Sequence, residues 1–193
     1  MNKNNNVSLT SKEVEEELKR ENYKSRYISI LKSTIFTLVV VAAFSTIIAS
    51  FILSVLDVNG SSMSPTLTNG EIVIAYKDKS IEENDVIAFY QGNKILIKRV
   101  IAKSGSFVKI DDDGSVYVNG KLLDEPYVKE KTLGQSDIEY PYQVPEGHYF
   151  VLGDKRDTSL DSRNSAIGAV AKEDILGKVV ISVWPINKMG IIK

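Results

Sequence analysis

Cysteine is absent from the 193 residues. That excludes a disulfide framework, a thiolate zinc site and a cysteine nucleophile. Histidine occurs once, as His148, so a His-rich metal site is out of reach and a Ser-His-Asp triad is available only through that residue. Neither sign of charge is in excess, with 24 Lys+Arg against 25 Asp+Glu. No basic surplus points to nucleic acid, and no long charge block marks an interaction tail. Repeats and low-complexity segments are also missing. The acidic run Asp111 to Asp113 lacks the spaced ligands of a calcium loop, and Gly114 follows at once, so it reads as a hairpin turn.

What is present is one long apolar run. Ile35 through Leu56 carries no charge and no proline. As a helix it is about 33 Å long, against a hydrocarbon core of about 30 Å. A soluble core helix would show a polar stripe, and this run is apolar or hydroxyl-bearing all round. A cleavable signal peptide is the rival, but the run is longer than a usual h-region and a long segment precedes it. The reading is an uncleaved anchor. Arg20, Lys24, Arg26 and Lys32 precede it and Asp57 follows. The positive-inside rule then puts residues 1–34 in the cytoplasm as a tail and 57–193 outside. Ser11 to Arg26 has the composition of a solvated helix capped by Thr10 or Ser11, and Met1 to Val7 reads as disordered.

Beyond Asp57 the pattern turns to short strands with turn signals between them. Strands are predicted at Glu71–Tyr76, Asp85–Tyr90, Lys94–Ile101, Phe107–Ile110, Ser115–Val118, Lys121–Leu123, Tyr149–Leu152 and Lys178–Trp184. Asn119-Gly120 is a two-residue hairpin signal. Lys172 to Ile175 is the one briefly helical stretch, and Lys129 to Tyr142 reads as a loop or small excursion. Residues 104–145 form a smaller inserted hairpin region. The fold class is mostly β, preceded by one N-terminal transmembrane helix.

Two segments carry chemistry. Gly60-Ser61-Ser62-Met63-Ser64-Pro65-Thr66-Leu67 offers a serine hydroxyl on a tight turn. Leu96-Ile97-Lys98-Arg99-Val100-Ile101 sets a lysine into an apolar strand, with Leu96 and Val100 on the same face. Apolar neighbours strip the solvation that favours an ammonium, so the amine can serve as a base near neutral pH. A serine beside such an amine is activated without a histidine. On its own, a serine near a proline or a lysine on a strand means little.

The order of motifs is what counts. An anchor is followed by Ser62-Met63-Ser64-Pro65-Thr66, then Asn84 to Phe89, then Ile97-Lys98-Arg99-Val100-Ile101. Last come Gly147 to Arg163, including Gly153-Asp154-Lys155-Arg156-Asp157-Thr158-Ser159-Leu160-Asp161-Ser162-Arg163, and Gly168. This resembles the type I signal peptidases of bacteria, serine protease family S26, and looks most like the single-anchor enzymes of Gram-positive bacteria. The resemblance implies a signal-peptidase-like β-sheet catalytic domain. It also implies a membrane-bound serine endopeptidase that removes signal peptides from exported preproteins, cutting after small residues (Ala-x-Ala). Ser62 would be the nucleophile and Lys98 the general base. Ser61 and Ser64 are competing hydroxyls, and the match to Ser-Met-x-Pro-Thr selects Ser62.

Other roles follow from the same resemblance. The Ser62 amide would help hold the oxyanion, and Gly60 stands where many relatives carry a serine donor, so the second donor is left open. Ser159 would hydrogen-bond the lysine amine, with Asp161 and Arg163 bracing the site. Gly153, Asp154 and Arg156 belong to a structural loop, and Met63 lies near the substrate cleft. Lys155 and Thr158 depart from the family's usual asparagine and asparagine-like residue. His148 is read as structural, and Trp184 as core or membrane-proximal packing. No metal or cofactor is implied. The implied partners are preproteins, the lipid bilayer of the bacterial cell membrane and the secretion translocon, with no nucleic acid. Three alternatives stand beside this reading: a non-catalytic relative that assists pilus assembly, a self-cleaving regulator like the SOS repressors, and a processing enzyme with one client. Loss of the serine or lysine would favour the first, and both are present. The anchor and the Gly153 to Arg163 segment argue against the second.

Overall fold

The computed structural model describes residues 11–77 and 80–192. The disorder expected for Met1 to Val7, and a cap at Thr10, lie outside them. Contacts divide the chain into two units, Met1–Ala49 and Ser50–Lys193.

Ser11–Ile52 is one continuous helix, α1, with no buried residue. Its first half is charged and carries its own pairs, Glu15–Lys19 at 2.8 Å and Glu21–Lys24 at 3.0 Å, at one-turn spacing. From Ser33 to Ile52 there is no charge. The hydroxyls of Thr34, Thr37 and Thr46 donate back to the carbonyls of Ile30, Ser33 and Ala42, respectively. Hydroxyls satisfied within the helix are compatible with a lipid environment. α1 is long and apolar enough to cross a membrane, by length and composition.

The helix stops earlier than its apolar run. The sequence predicts helix to Leu56, whereas Leu53–Asp57 is a strand, β1. Its residues pair antiparallel with Ile72–Tyr76, β2, from Leu53 opposite Tyr76 to Asp57 opposite Ile72. Uniform apolarity hides this change of period, because Leu-Ser-Val-Leu suits either state. The carbonyls at the helix end are met from the far end of β2: the Lys77 amide donates to Ile52 O and its amine to Ser50 O, both at 2.9 Å.

The remaining strands are β3 (Val86–Gln91), β4 (Lys94–Lys103), β5 (Phe107–Ile110), β6 (Val116–Val118), β7 (Lys121–Leu122) and β8 (Tyr142–Gln143). They continue with β9 (His148–Leu152), β10 (Val170–Ala171), β11 (Ile175–Trp184) and β12 (Gly190–Ile191). The large sheet runs β1-β2-β11-β3-β4-β9-β10, with β12 on β11, and the small one runs β7-β6-β5-β8. The small sheet lies within the stretch read as an inserted hairpin region. Asn119 and Gly120 take φ of 52° and 78° at its β6–β7 turn, as a two-residue hairpin requires.

β4 organises the domain. Its second half, with Ile101 and Ala102, packs with Phe150 and Leu152 of β9 and with Val108, Ile110 and Val116 of the small sheet. Among the described residues its first half pairs only with β3, because β9 ends at Leu152, opposite Arg99. One edge of Lys94 to Lys98 is therefore open. Trp184 does not join the core. It ends β11 and is 52% exposed, because Pro185 turns the chain away there.

Candidate active site

The serine turn is built from its two ends inward. Val58 donates to Glu71 O and Gly70 to Val58 O, each at 2.8 Å, closing a loop between β1 and β2. Within it, Ser64 N to Ser61 O (2.9 Å) and Leu67 N to Met63 O (2.8 Å) wind residues 61–67 into helical turns. Met63 and Leu67, four apart and hence on one face, are buried at 2% and 0% exposure. They plug the turn into a core cluster with Val58, Val73, Val86 and Val179. Ser62, next to that plug, is half-buried. Gly60 takes a φ of +102°, a conformation that suits glycine. Its amide donates to Asn69 Oδ1 at 2.8 Å.

The lysine comes from the open half of β4, opposite Ile87 of β3. Leu96 and Val100 both pack with Ile87 and Phe89 in a second cluster. Lys98 is 3% exposed, and its Nζ lies 2.7 Å from Ser62 Oγ. Burial pushes its amine below the ordinary lysine value. Asp161 acts to raise it, Arg163 lowers it again, and Asp154 raises it. The acids act at a distance: their carboxylates are bonded to Arg163 and Arg99 instead.

Three buried arginines surround this pair, each with a carboxylate. Arg99 donates from Nε and Nη2 to the two oxygens of Asp154 (2.9 and 2.8 Å) and from Nη1 to Asn84 O. Arg156 bonds Glu125 and gives its Nε to Gly153 O at 3.1 Å. Arg163 grips Asp161 with Nε and Nη2 (2.8 and 2.9 Å) and donates to the carbonyls of Leu133 and Arg156. All six charged side chains are at most 1% exposed. Such bidentate pairs are the form in which charge is tolerated inside a protein.

The brace reaches the serine through the loop after β9. Asp161 Oδ2 accepts from Gly153 N at 3.0 Å, and the Lys155 amide donates to Ser62 O at 3.0 Å. Thr66, in the serine turn, donates to Asp154. Gly153 is tightly enclosed. A Cβ there would collide with the Ser159 side chain and stand 2.6 Å from Ser62 O.

One expected contact is not made. Ser159 is buried at 4% exposure, but its Oγ has no hydrogen-bond partner among the described residues and does not bond Lys98. The lysine amine is turned to Ser62, and the Ser159 side chain is packed against Gly153. His148 stands apart from the pair at the start of β9, with Nδ1 2.8 Å from Glu146 O. Met63 lines a cleft of about 380 Å³ together with Gly60, Ser62 and Lys98. The cleft walls are Val55 to Asn59 on one side and Asn93, Ile95, Leu96 and Ile97 on the other.

Sequence reasoning missed Glu125, Tyr127 and Thr66. Tyr127 lies under the Arg99 guanidinium at 4.0 Å. Burial first, then Glu125, push its hydroxyl well above the ordinary tyrosine value. The available signal was Arg99 itself: an arginine inside an apolar strand needs a carboxylate and a flat partner. Glu125 and Tyr127 lie in a stretch without periodicity, so nothing local marked them.

A sequence model described as "Signal peptidase, peptidase S26" matches residues 30–184. The chain belongs to that signal peptidase family. It is 37% identical over 162 residues to signal peptidase IB of Staphylococcus aureus (strain Mu50 / ATCC 700699), covering 74% of this chain and 83% of the relative. Signal peptidase I of Streptococcus pneumoniae serotype 4 is 31% identical over 179 residues, covering 72% of this chain and 86% of the relative. A crystal structure of a signal peptidase I from Enterococcus faecalis V583 superposes with a TM-score of 0.44 at 32% identity, over 51% of this chain and 96% of that one. As a signal peptidase family member the chain is a peptidase, and its paired Ser62 and Lys98 lie inside the matched region.

Proposed function

We propose that this protein is a membrane-anchored serine endopeptidase that removes signal peptides from exported preproteins, with Ser62 as nucleophile and Lys98 as general base. The observation that carries this is the 2.7 Å approach of Lys98 Nζ to Ser62 Oγ by an amine that is buried and has no ion-pair partner among the described residues. A neutral lysine takes the Ser62 proton as Oγ bonds to the scissile carbonyl carbon. The Ser62 amide, which donates to no described protein atom, is free to stabilise the oxyanion. The ammonium returns its proton to the leaving nitrogen as the C–N bond breaks. Water then adds to the acyl ester, again giving its proton to Lys98, and Ser62 leaves reprotonated.

The open edge of β4 suits a substrate strand, with alternate side chains entering the cleft. Partly buried Leu56 and Ile97 leave shallow apolar room, which favours small residues by excluding large ones, as in Ala-x-Ala. α1 would place residues 1–34 in the cytoplasm and the β domain outside, holding the enzyme near membrane-borne substrates. The translocon is a natural neighbour in that setting.

The test is processing of a preprotein with an Ala-x-Ala site, in detergent or liposomes, by the parent, Ser62→Ala and Lys98→Ala. Cutting after the second alanine by the parent and by neither variant is the expected result. An inert parent, or an active Ser62→Ala protein, would falsify the assignment.

A further inference from the structure

Four carboxylates are buried among the described residues: Glu71, Glu125, Asp154 and Asp161. Three of them face the arginines around the Ser62–Lys98 pair. Glu71 is the exception. It is 4% exposed at the end of the serine turn, and the chemistry proposed above makes no use of it. Its Oε1 accepts from the Thr68 amide and hydroxyl, at 3.1 and 2.8 Å, and its Oε2 from Ser182 Oγ of β11 at 3.1 Å. Its cation is Lys188, whose Nζ lies 3.4 Å from Glu71 Oε1 and also donates to Thr68 Oγ1. Burial acts to raise the Glu71 pKa. The bonds from Thr68, Ser182 and Lys188 outweigh burial and hold the carboxyl below the ordinary glutamate value. Lys188 belongs to the segment after β11, beyond residues 30–184, the part matched to the family. That segment turns at Ile186–Lys188 and returns as β12 along Ile181 and Ser182. It then packs Ile192 against the cluster that holds Met63 and Leu67.

We propose that Glu71, backed by Lys188, is a positioning residue that fixes the serine turn so that Ser62 Oγ stays within reach of Lys98. This rests on the Ser62–Lys98 reading of the site. The path from carboxylate to nucleophile is short. Thr68 follows Leu67, whose amide bonds Met63 O, and Met63 follows Ser62. The other limb of the turn is closed by the same residue, since the Glu71 carbonyl takes the Val58 amide. Without the carboxylate, Thr68 loses the acceptor for both of the bonds it donates. Lys188 is 45% exposed, so it is left to solvent and no cation is stranded inside. The turn then loosens while the domain stays folded. A displacement of about 1 Å at a reacting group costs about 10²-fold in rate, so even partial loosening is visible in kcat.

The experiment uses the full chain in detergent with a soluble peptide carrying an Ala-x-Ala site. Glu71→Ala should lower kcat at least about tenfold, with KM within about twofold of the parent. Glu71→Gln keeps an acceptor for Thr68 and should recover kcat to within about threefold of the parent. Lys188→Met, which removes only the backing cation, should lower kcat about threefold. Val116→Ala, a truncation of a fully buried residue in the small sheet, controls for lost stability. It should lower Tm and leave kcat at the parental value. A Glu71→Ala kcat no lower than that of Val116→Ala overturns the positioning role and leaves the Ser62–Lys98 reading intact. A Gln variant as impaired as the Ala variant does the same. Should Glu71→Ala fail to fold, Lys188→Met carries the test: a threefold fall supports the role, and a parental kcat overturns it. A parent inert on the peptide overturns the Ser62–Lys98 reading and the positioning role together.

Discussion

Lys98 and the three arginines near it are all cations buried in one small domain, and they are treated in opposite ways. Each arginine has a carboxylate, and Arg163 also reaches two carbonyls at 2.7 and 2.9 Å. Lys98 has a serine hydroxyl and, among the described residues, no carboxylate partner in contact. A paired buried charge fixes geometry, because moving either partner exposes the other to a large desolvation cost. An unpaired buried amine loses its proton more easily, and that is a chemical property. Residue type contributes as well. A guanidinium stays charged at any accessible pH, whereas an amine does not.

Giving the lysine a permanent charge breaks the contrast most sharply. Lys98→Arg should reduce processing by at least about 10⁴-fold at every pH, since a guanidinium cannot accept the Ser62 proton. Retained activity in a preprotein assay would mean that Lys98 is not the base. Next in size is removing an arginine's partner. Asp161→Asn leaves Arg163 buried with a neutral neighbour and should cost about 3–5 kcal/mol of stability in denaturant unfolding. It also removes a charge that raises the Lys98 pKa. In whatever fraction folds, the acidic limb of the pH–rate profile should therefore move to lower pH. A limb that moves up would contradict the proposed electrostatics.

Gly153 links the two kinds of site, and its substitution is expected to cost less. Gly153→Ala places a methyl against the Ser159 side chain and 2.6 Å from Ser62 O. Overpacking of this sort costs about 1–3 kcal/mol. Because the loop also holds Ser62 O through the Lys155 amide, kcat should fall along with Tm. A stable variant with parental kcat would show that the loop does not position the nucleophile.

The sequence made the Ser62–Lys98 pair far more legible than its support. Lys98 drew notice because a lysine in an apolar strand, with Leu96 and Val100 on its face, conflicts with its surroundings, but the order of motifs and the match to Ser-Met-x-Pro-Thr were what selected it and Ser62. Most strands were legible as period-two runs between turn signals. Support depends on long-range pairing, and that is where reading failed. Glu125 meets Arg156 from 31 positions away, and nothing local to either residue announces the other. The Ser159 expectation came from resemblance, and its hydroxyl has no hydrogen-bond partner among the described residues. At Leu53 the helix gave way to a strand because pairing with β2 outweighed a local pattern that suits both.

The gentlest test removes the unpaired charge altogether. Lys98→Met keeps length and apolar bulk but deletes the amine, so it should abolish processing while raising stability by about 1–3 kcal/mol near neutral pH. The sign follows from linkage. Burial puts the folded-state pKa of Lys98 below its unfolded value. Between those two values the unfolded chain holds more protons, so parental stability rises with pH across that window. Below it both states are protonated and the cost of the buried ammonium is constant. Above it both are neutral and that cost has vanished. The stability advantage of Lys98→Met over the parent should thus be largest on the acid side of the window. It should shrink steadily as pH approaches the ordinary lysine value, when followed by urea unfolding at a series of pH values. An advantage that grows with pH, or a variant less stable than the parent throughout, would mean that Lys98 is held as a satisfied structural cation, like the arginines beside it.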